Sequence, residues 1–128
     1  MNEKENFIAT GWGETKYGEG IKEQDLKKRD LKKVLLHYVS KKKCEAEHRL
    51  ELSPEMFCLF GNGEQDTCRG DSGGGILWKG VIVGIVSHGQ NCSQMPGIYV
   101  NVNYYHSWIH KSVTDLYKSF CDFHNNKG

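Results

Sequence analysis

Residues 66–74 read Asp-Thr-Cys-Arg-Gly-Asp-Ser-Gly-Gly, which sets Ser72 beside an acid and just ahead of two glycines. A hydroxyl with so little bulk around it can reach a carbonyl. To act as a nucleophile it also needs a base to take its proton and hydrogen-bond donors for the oxyanion that forms. Gly70 to Gly74 satisfy the pattern G-x-S-x-G, with Cys68 and Asp66 shortly upstream. A plainer reading makes the segment a glycine-rich turn in which Ser72 only caps.

The elements that must position this serine are short. "FIATGW" (7–12) reads as a strand, 14–30 as a polar loop, "KKVLLHYV" (32–39) as a second strand, and "KKKCEAEHRL" (41–50) as a short helix ahead of "PEMFCLF" (54–60). "GILW" and "VIVGIVSHG" flank Lys79-Gly80, a hairpin signature. "GIYVNV" (97–102) alternates, with Ile98, Val100 and Val102 on one face. From about Asn103, Tyr105, Trp108, Ile109, Val113, Leu116, Tyr117 and Phe120 recur at helical spacing, an amphipathic helix expected to pack on the rest of the domain. Many short strands with glycine turns point to an all-β barrel closed by a terminal helix. G-x-S-x-G also marks the strand-to-helix elbow of α/β-hydrolases, but here two strands follow the serine, so that context fails.

A chain of 128 residues is one domain at most, and its formal charge of +1 argues for neither nucleic acid nor an acidic partner. "KEQDLKKRDLKK" (22–33) mixes signs and reads as solvated surface. No apolar run approaches the ~20 residues of a membrane span, and the first ten residues lack the apolar core of a secretory signal. Cys44, Cys58, Cys68, Cys92 and Cys121 include no C-x-x-C pair, so neither a zinc site nor any other metal or cofactor is expected. They suggest disulfides and an oxidising compartment.

Taken together, "TGWG" (10–13), "MFC" (56–58), "D-x-C-x-GDSGG" (66–74), "VSHG" (86–89), "PGIYV" (96–100) and "SWI" (107–109) resemble the C-terminal half of a chymotrypsin/trypsin-family serine endopeptidase, in order and approximate spacing. The resemblance implies the C-terminal six-stranded antiparallel β-barrel of a trypsin-like protease with a C-terminal α-helix, its N-terminal barrel missing. Residues 1–6 would be a remnant of the inter-barrel linker, 7–120 the half-domain and 121–128 a tail. It makes Ser72 the nucleophile, the backbone N–H groups of Gly70 and Ser72 the oxyanion donors, and Asp71 the acid that pairs with a new amino terminus and shapes the oxyanion hole. Asp66 would sit at the base of the primary pocket, where a carboxylate selects Arg or Lys, with Gly89 and Gly97 leaving the pocket open. Ser87 would belong to the strand that pairs with substrate backbone. The family usually has tryptophan where His88 stands, and His88 has no orienting acid beside it that would make it a replacement base.

The same resemblance pairs Cys44 with Cys58 and Cys68 with Cys92, each worth roughly 3 kcal/mol on a loop-entropy argument. Cys121 is left to a bond with another segment or to a free thiol. The common family bridge across the strands before "GWG" and after "GDSGG" is absent, and Phe7 and Trp78, which hold those positions, are expected to pack together. Proline often stands where this chain has Gly75. The family's triad histidine and aspartate belong to an upstream barrel, so Met1 would begin a partial product, inactive alone and exposing an apolar docking face. Expected partners are polypeptide substrates, the missing barrel and protein inhibitors, with neither nucleic acid nor membrane, in a secreted setting. The alternatives are a non-catalytic protease homologue acting as a binding or regulatory module, and an independent disulfide-stabilised binding domain.

Overall fold

The computed structural model describes residues 4–13, 30–61, 67–68, 71–88 and 94–126. Six antiparallel strands close into a barrel: β1 (Asn6–Gly11), β2 (Lys32–Val39), β3 (Met56–Phe60), β4 (Gly75–Trp78), β5 (Val81–His88) and β6 (Gly97–Asn101), in the order β1-β2-β3-β6-β5-β4. Helix α1 (Lys41–His48) joins β2 to β3, and a single 3-10 turn (Val102–Tyr105) leads from β6 into α2 (His106–Asn125). Closure removes both sheet edges, so every strand finds two partners.

Alternation decides which side chains fill the barrel. Phe7, Ala9, Leu36, Phe57, Leu59, Ile76 and Tyr99 form its buried core, with Val34, Tyr38, Trp78, Val83 and Val86 packed against it. Phe57 and Tyr99 meet ring to ring at 5.8 Å. A second cluster of Val39, Cys44, Leu52, Cys58 and Ile98 lies under α1, and the Cys44–Cys58 disulfide runs through it. The Lys79-Gly80 dipeptide joins β4 to β5 with positive φ at both residues (50° and 80°), the geometry of a two-residue type I′ hairpin.

Three expectations are corrected. In β6 the residue that fills the barrel is Tyr99, not the Ile98–Val100–Val102 face. Ile98 serves the second cluster because α1 covers the barrel wall there, so β6 is buried on both sides. Among the described residues the apolar face of helix α2 is not covered by the barrel. Trp108, Val113, Leu116, Tyr117 and Phe120 are each more than 60% exposed, and the main packing partner of α2 among the described elements is the preceding 3-10 turn. The helix also runs unbroken through Cys121, a free cysteine, to Asn125. Phe7 and Trp78 share the barrel core but form no ring pair among the described residues, and the Trp78 ring instead carries the Lys79 ammonium 4.5 Å from its centroid.

Candidate active site

Ser72 is exposed at the tip of a tight turn in which the Gly74 N–H donates to the Asp71 carbonyl at 3.0 Å. Gly73 holds the third position of that turn with φ +84°, the conformation a type II turn requires and one that disfavours any side chain. The turn is sewn to β5 on both sides. Gly73 N–H donates to the Val86 carbonyl and Val86 N–H donates to the Gly74 carbonyl, each at 2.9 Å. The glycines therefore fold the chain so that the serine projects outward from a fixed backbone.

Asp71 anchors the other side of the turn. Its Oδ1 accepts from the Gly13 N–H and its Oδ2 from the Cys68 N–H, both at 3.0 Å. Hydrogen bonds to an ionised carboxylate are stronger than neutral ones, and here they lock the serine turn to the end of β1, 58 residues away. The carboxylate lies directly over Gly11, where a Cβ would collide with Oδ1. Both ends of "GWG" therefore meet Asp71, Gly11 by leaving it room and Gly13 by donating to it. Neither contact has a local signature in the sequence, because the partners are too remote to read.

At the far end of β5 the ladder with β6 shifts register between Val86 and His88, so Ser87 is the extra residue of a bulge. Ser87 and His88 are both exposed there, beside the serine turn that hangs from Val86. A second contact without a local signature is the Thr67–Tyr99 pair. The Thr67 hydroxyl and the buried Tyr99 phenol hydrogen bond at 2.7 Å, fixing the backbone next to residue 66. Asp66, Gly70, Gly89 and Cys92, which the sequence resemblance expects at the primary pocket, the oxyanion hole and a disulfide, lie outside the described residues; Cys68 is disulfide-bonded. Gly97 is buried at the start of β6, and a Cβ there would meet the Tyr99 hydroxyl at 2.7 Å.

The histidines do not complete a catalytic pair with Ser72. His48 is engaged by the Pro96 carbonyl and His124 by the Phe120 carbonyl, and among the described residues no histidine ring hydrogen bonds to Ser72. Among the described residues no group of His, Cys, Asp and Glu is arranged to hold a metal ion, and no helix is long and apolar enough to cross a membrane.

The family model described as Trypsin matches residues 1–109. This chain belongs to the trypsin family. Among its trypsin-family relatives are serine protease 1 of Homo sapiens, 36% identical over 109 residues, and trypsin of Squalus acanthias, 32% identical over 115 residues. The alignments take in 83% and 88% of this chain but 42% and 48% of those relatives, so the chain spans less than half their length. Neuropsin, a serine protease expressed in the limbic system of mouse brain, superposes with a TM-score of 0.76 at 29% identity, over 88% of this chain and 49% of that one. The closed barrel and its C-terminal helix match the trypsin-like protease fold, and the coverage fits the C-terminal half of a trypsin-family domain.

Proposed function

We propose that this chain is the serine-bearing half of a secreted trypsin-like endopeptidase that cleaves polypeptides after Arg or Lys. One observation carries the reading: in a member of the trypsin family, Ser72 stands exposed on a turn whose backbone is clamped to β5 and, through Asp71, to β1. Ser72 attacks the scissile carbonyl, and the N–H groups of Gly70 and Ser72 stabilise the oxyanion. The base that takes the serine proton, and the acid that orients that base, come from an upstream half. These roles are the ones that define serine-protease triad chemistry in this family. Asp66 supplies the negative charge that selects a basic side chain, Gly89 and Gly97 leave room for it, and Ser87 pairs with substrate backbone. Protein inhibitors would enter along the same exposed end of β5. The intact serine and its clamped turn favour this reading over a non-catalytic homologue.

The transcript upstream of Met1 tests the missing half directly: a histidine and an aspartate in family context are expected, and a start codon with neither would contradict the reading. In the full-length product, Asp66→Ser should lower kcat/KM for Arg and Lys substrates by roughly 10²- to 10³-fold while Ser72 stays reactive. Unchanged preference would refute the pocket assignment.

A further inference from the structure

In α2, Ile109, Val113, Leu116, Phe120 and Phe123 follow one another at steps of four, three, four and three residues. That spacing draws a stripe narrower than the face a helix lays on a sheet or a lipid surface, and it is the seam by which one helix meets another. Lys111, Asp115, Lys118 and Asp122 all fall on the opposite side, the first two paired at 2.7 Å. Serines at 112 and 119 border the stripe on one side, and His110, Tyr117 and His124 on the other. No lysine, arginine or carboxylate therefore stands where it would repel an identical helix.

The Trypsin match ends at Ile109, and residues 110–125 of α2 run on beyond it. Over that stretch the seam is complementary to itself when a second copy lies antiparallel, with the two-fold axis level with Lys118. Val113 then faces Phe123 of the second copy and Leu116 faces its Phe120, so each layer sets a smaller side chain on a ring. A parallel pair would stack ring on ring and valine on valine. It would also bring both barrels to one end of a helix only about 30 Å long. The His124 ring lies 4.0 Å from Phe120 and 5.6 Å from Phe123, and its Nδ1 is bonded to the Phe120 carbonyl, so both rings are ordered before a partner arrives. Tyr117, Phe120 and Phe123 are 69%, 61% and 57% exposed, which leaves about 400 Å² of ring surface per copy to cover. Val113 and Leu116 raise this toward the ~600 Å² per copy at which specific interfaces begin.

We propose that the distal part of α2 is a homodimer interface, an antiparallel pair of helices in which residues 113 and 116 of one copy meet 123 and 120 of the other. The inference is independent of Ser72 and of the substrate pocket. Its test is sedimentation equilibrium of the 128-residue protein under reducing conditions, which keep Cys121 from bonding between copies. Every sample carries Leu35→Lys and Ile82→Lys, so that these exposed barrel residues do not contribute to association. This parent should form dimers that dissociate on dilution through roughly the micromolar range. Phe123→Val opens a gap in two layers and Val113→Phe overfills them, so each should weaken the dimer by about tenfold or more. The two changes together restore one ring and one small side chain per layer, and should return the affinity to within about threefold of the parent. Lys118→Gln, on the far side of the helix, should stay within about twofold. A parent that remains monomeric on the order of 200 μM, or a double variant no tighter than either single one, would overturn the inference. So would a monomer that binds phosphatidylcholine vesicles through α2, or a monomeric full-length product in which an upstream half protects this face.

Discussion

Asp71 and Gly11 show how little tolerance the serine turn has. Two backbone amides converge on one carboxylate, and the glycine beneath it leaves only enough room for the carboxylate to pass. Gly11→Ala must displace either the Asp71 side chain or the β1 backbone, an overpacking expected to cost about 1–3 kcal/mol in a urea titration. Thr10→Ala, at the exposed neighbouring position, should stay within about 0.5 kcal/mol of the wild type. If the two variants unfold together, the carboxylate does not rest where the geometry puts it. Asp71→Asn should cost about 1–3 kcal/mol by the same assay, because one amide N–H then faces a side-chain NH₂ or a weaker acceptor. At this scale the sequence was legible where the contact was local. Ser72 and its glycines sit within five residues, and their exposure could be read from them. The Gly13–Asp71 and Thr67–Tyr99 bonds join residues 58 and 32 apart, and no local pattern encodes such a meeting.

Among the elements, the strands were the most readable. β2 occupies the residues 32–39 read as a strand, and the Lys79-Gly80 turn takes the hairpin geometry its dipeptide favours. β6 was harder. A strand buried on both sides carries no clean alternation, and the tyrosine that fills the barrel reads as the less apolar partner of Ile98. The register shift that exposes Ser87 depends on both strands at once. Helix α2 was legible as a helix, yet periodicity gives the direction of an apolar face and not the partner that meets it. The Cys44–Cys58 bond is the covalent tie between α1 and the barrel. Replacing both cysteines by alanine should lower stability by about 3 kcal/mol, from the ~15-residue loop that the bond closes in the unfolded chain. A change below about 1 kcal/mol in the same titration would mean that α1 is held mainly by the cluster around Leu52 and Ile98.

The whole molecule presents more apolar surface than a self-sufficient barrel would. Strand register lines up Leu35, Ile8, Leu77 and Ile82 across four neighbouring strands on the outside of the barrel, and Leu35 and Ile82 are exposed. With the exposed stripe of α2, this is the kind of surface that a second structural unit covers. The protein on its own should therefore self-associate as concentration rises. Leu35→Lys combined with Ile82→Lys should shift sedimentation toward the monomer while changing stability by less than about 0.5 kcal/mol for each substitution. Association unchanged by both charges would place the sticky surface elsewhere.

The central claim, a reactive Ser72 beside an acid that selects basic side chains, is tested most directly by covalent labelling of the full-length gene product. The reagent is a phosphonofluoridate that carries a guanidinium-like group, and the adduct is read by peptide mass mapping. A single adduct is expected on the peptide containing Ser72, absent in Ser72→Ala and slowed in Asp66→Ser. A folded product in which Ser72 remains unlabelled, or in which the adduct forms elsewhere, would contradict it.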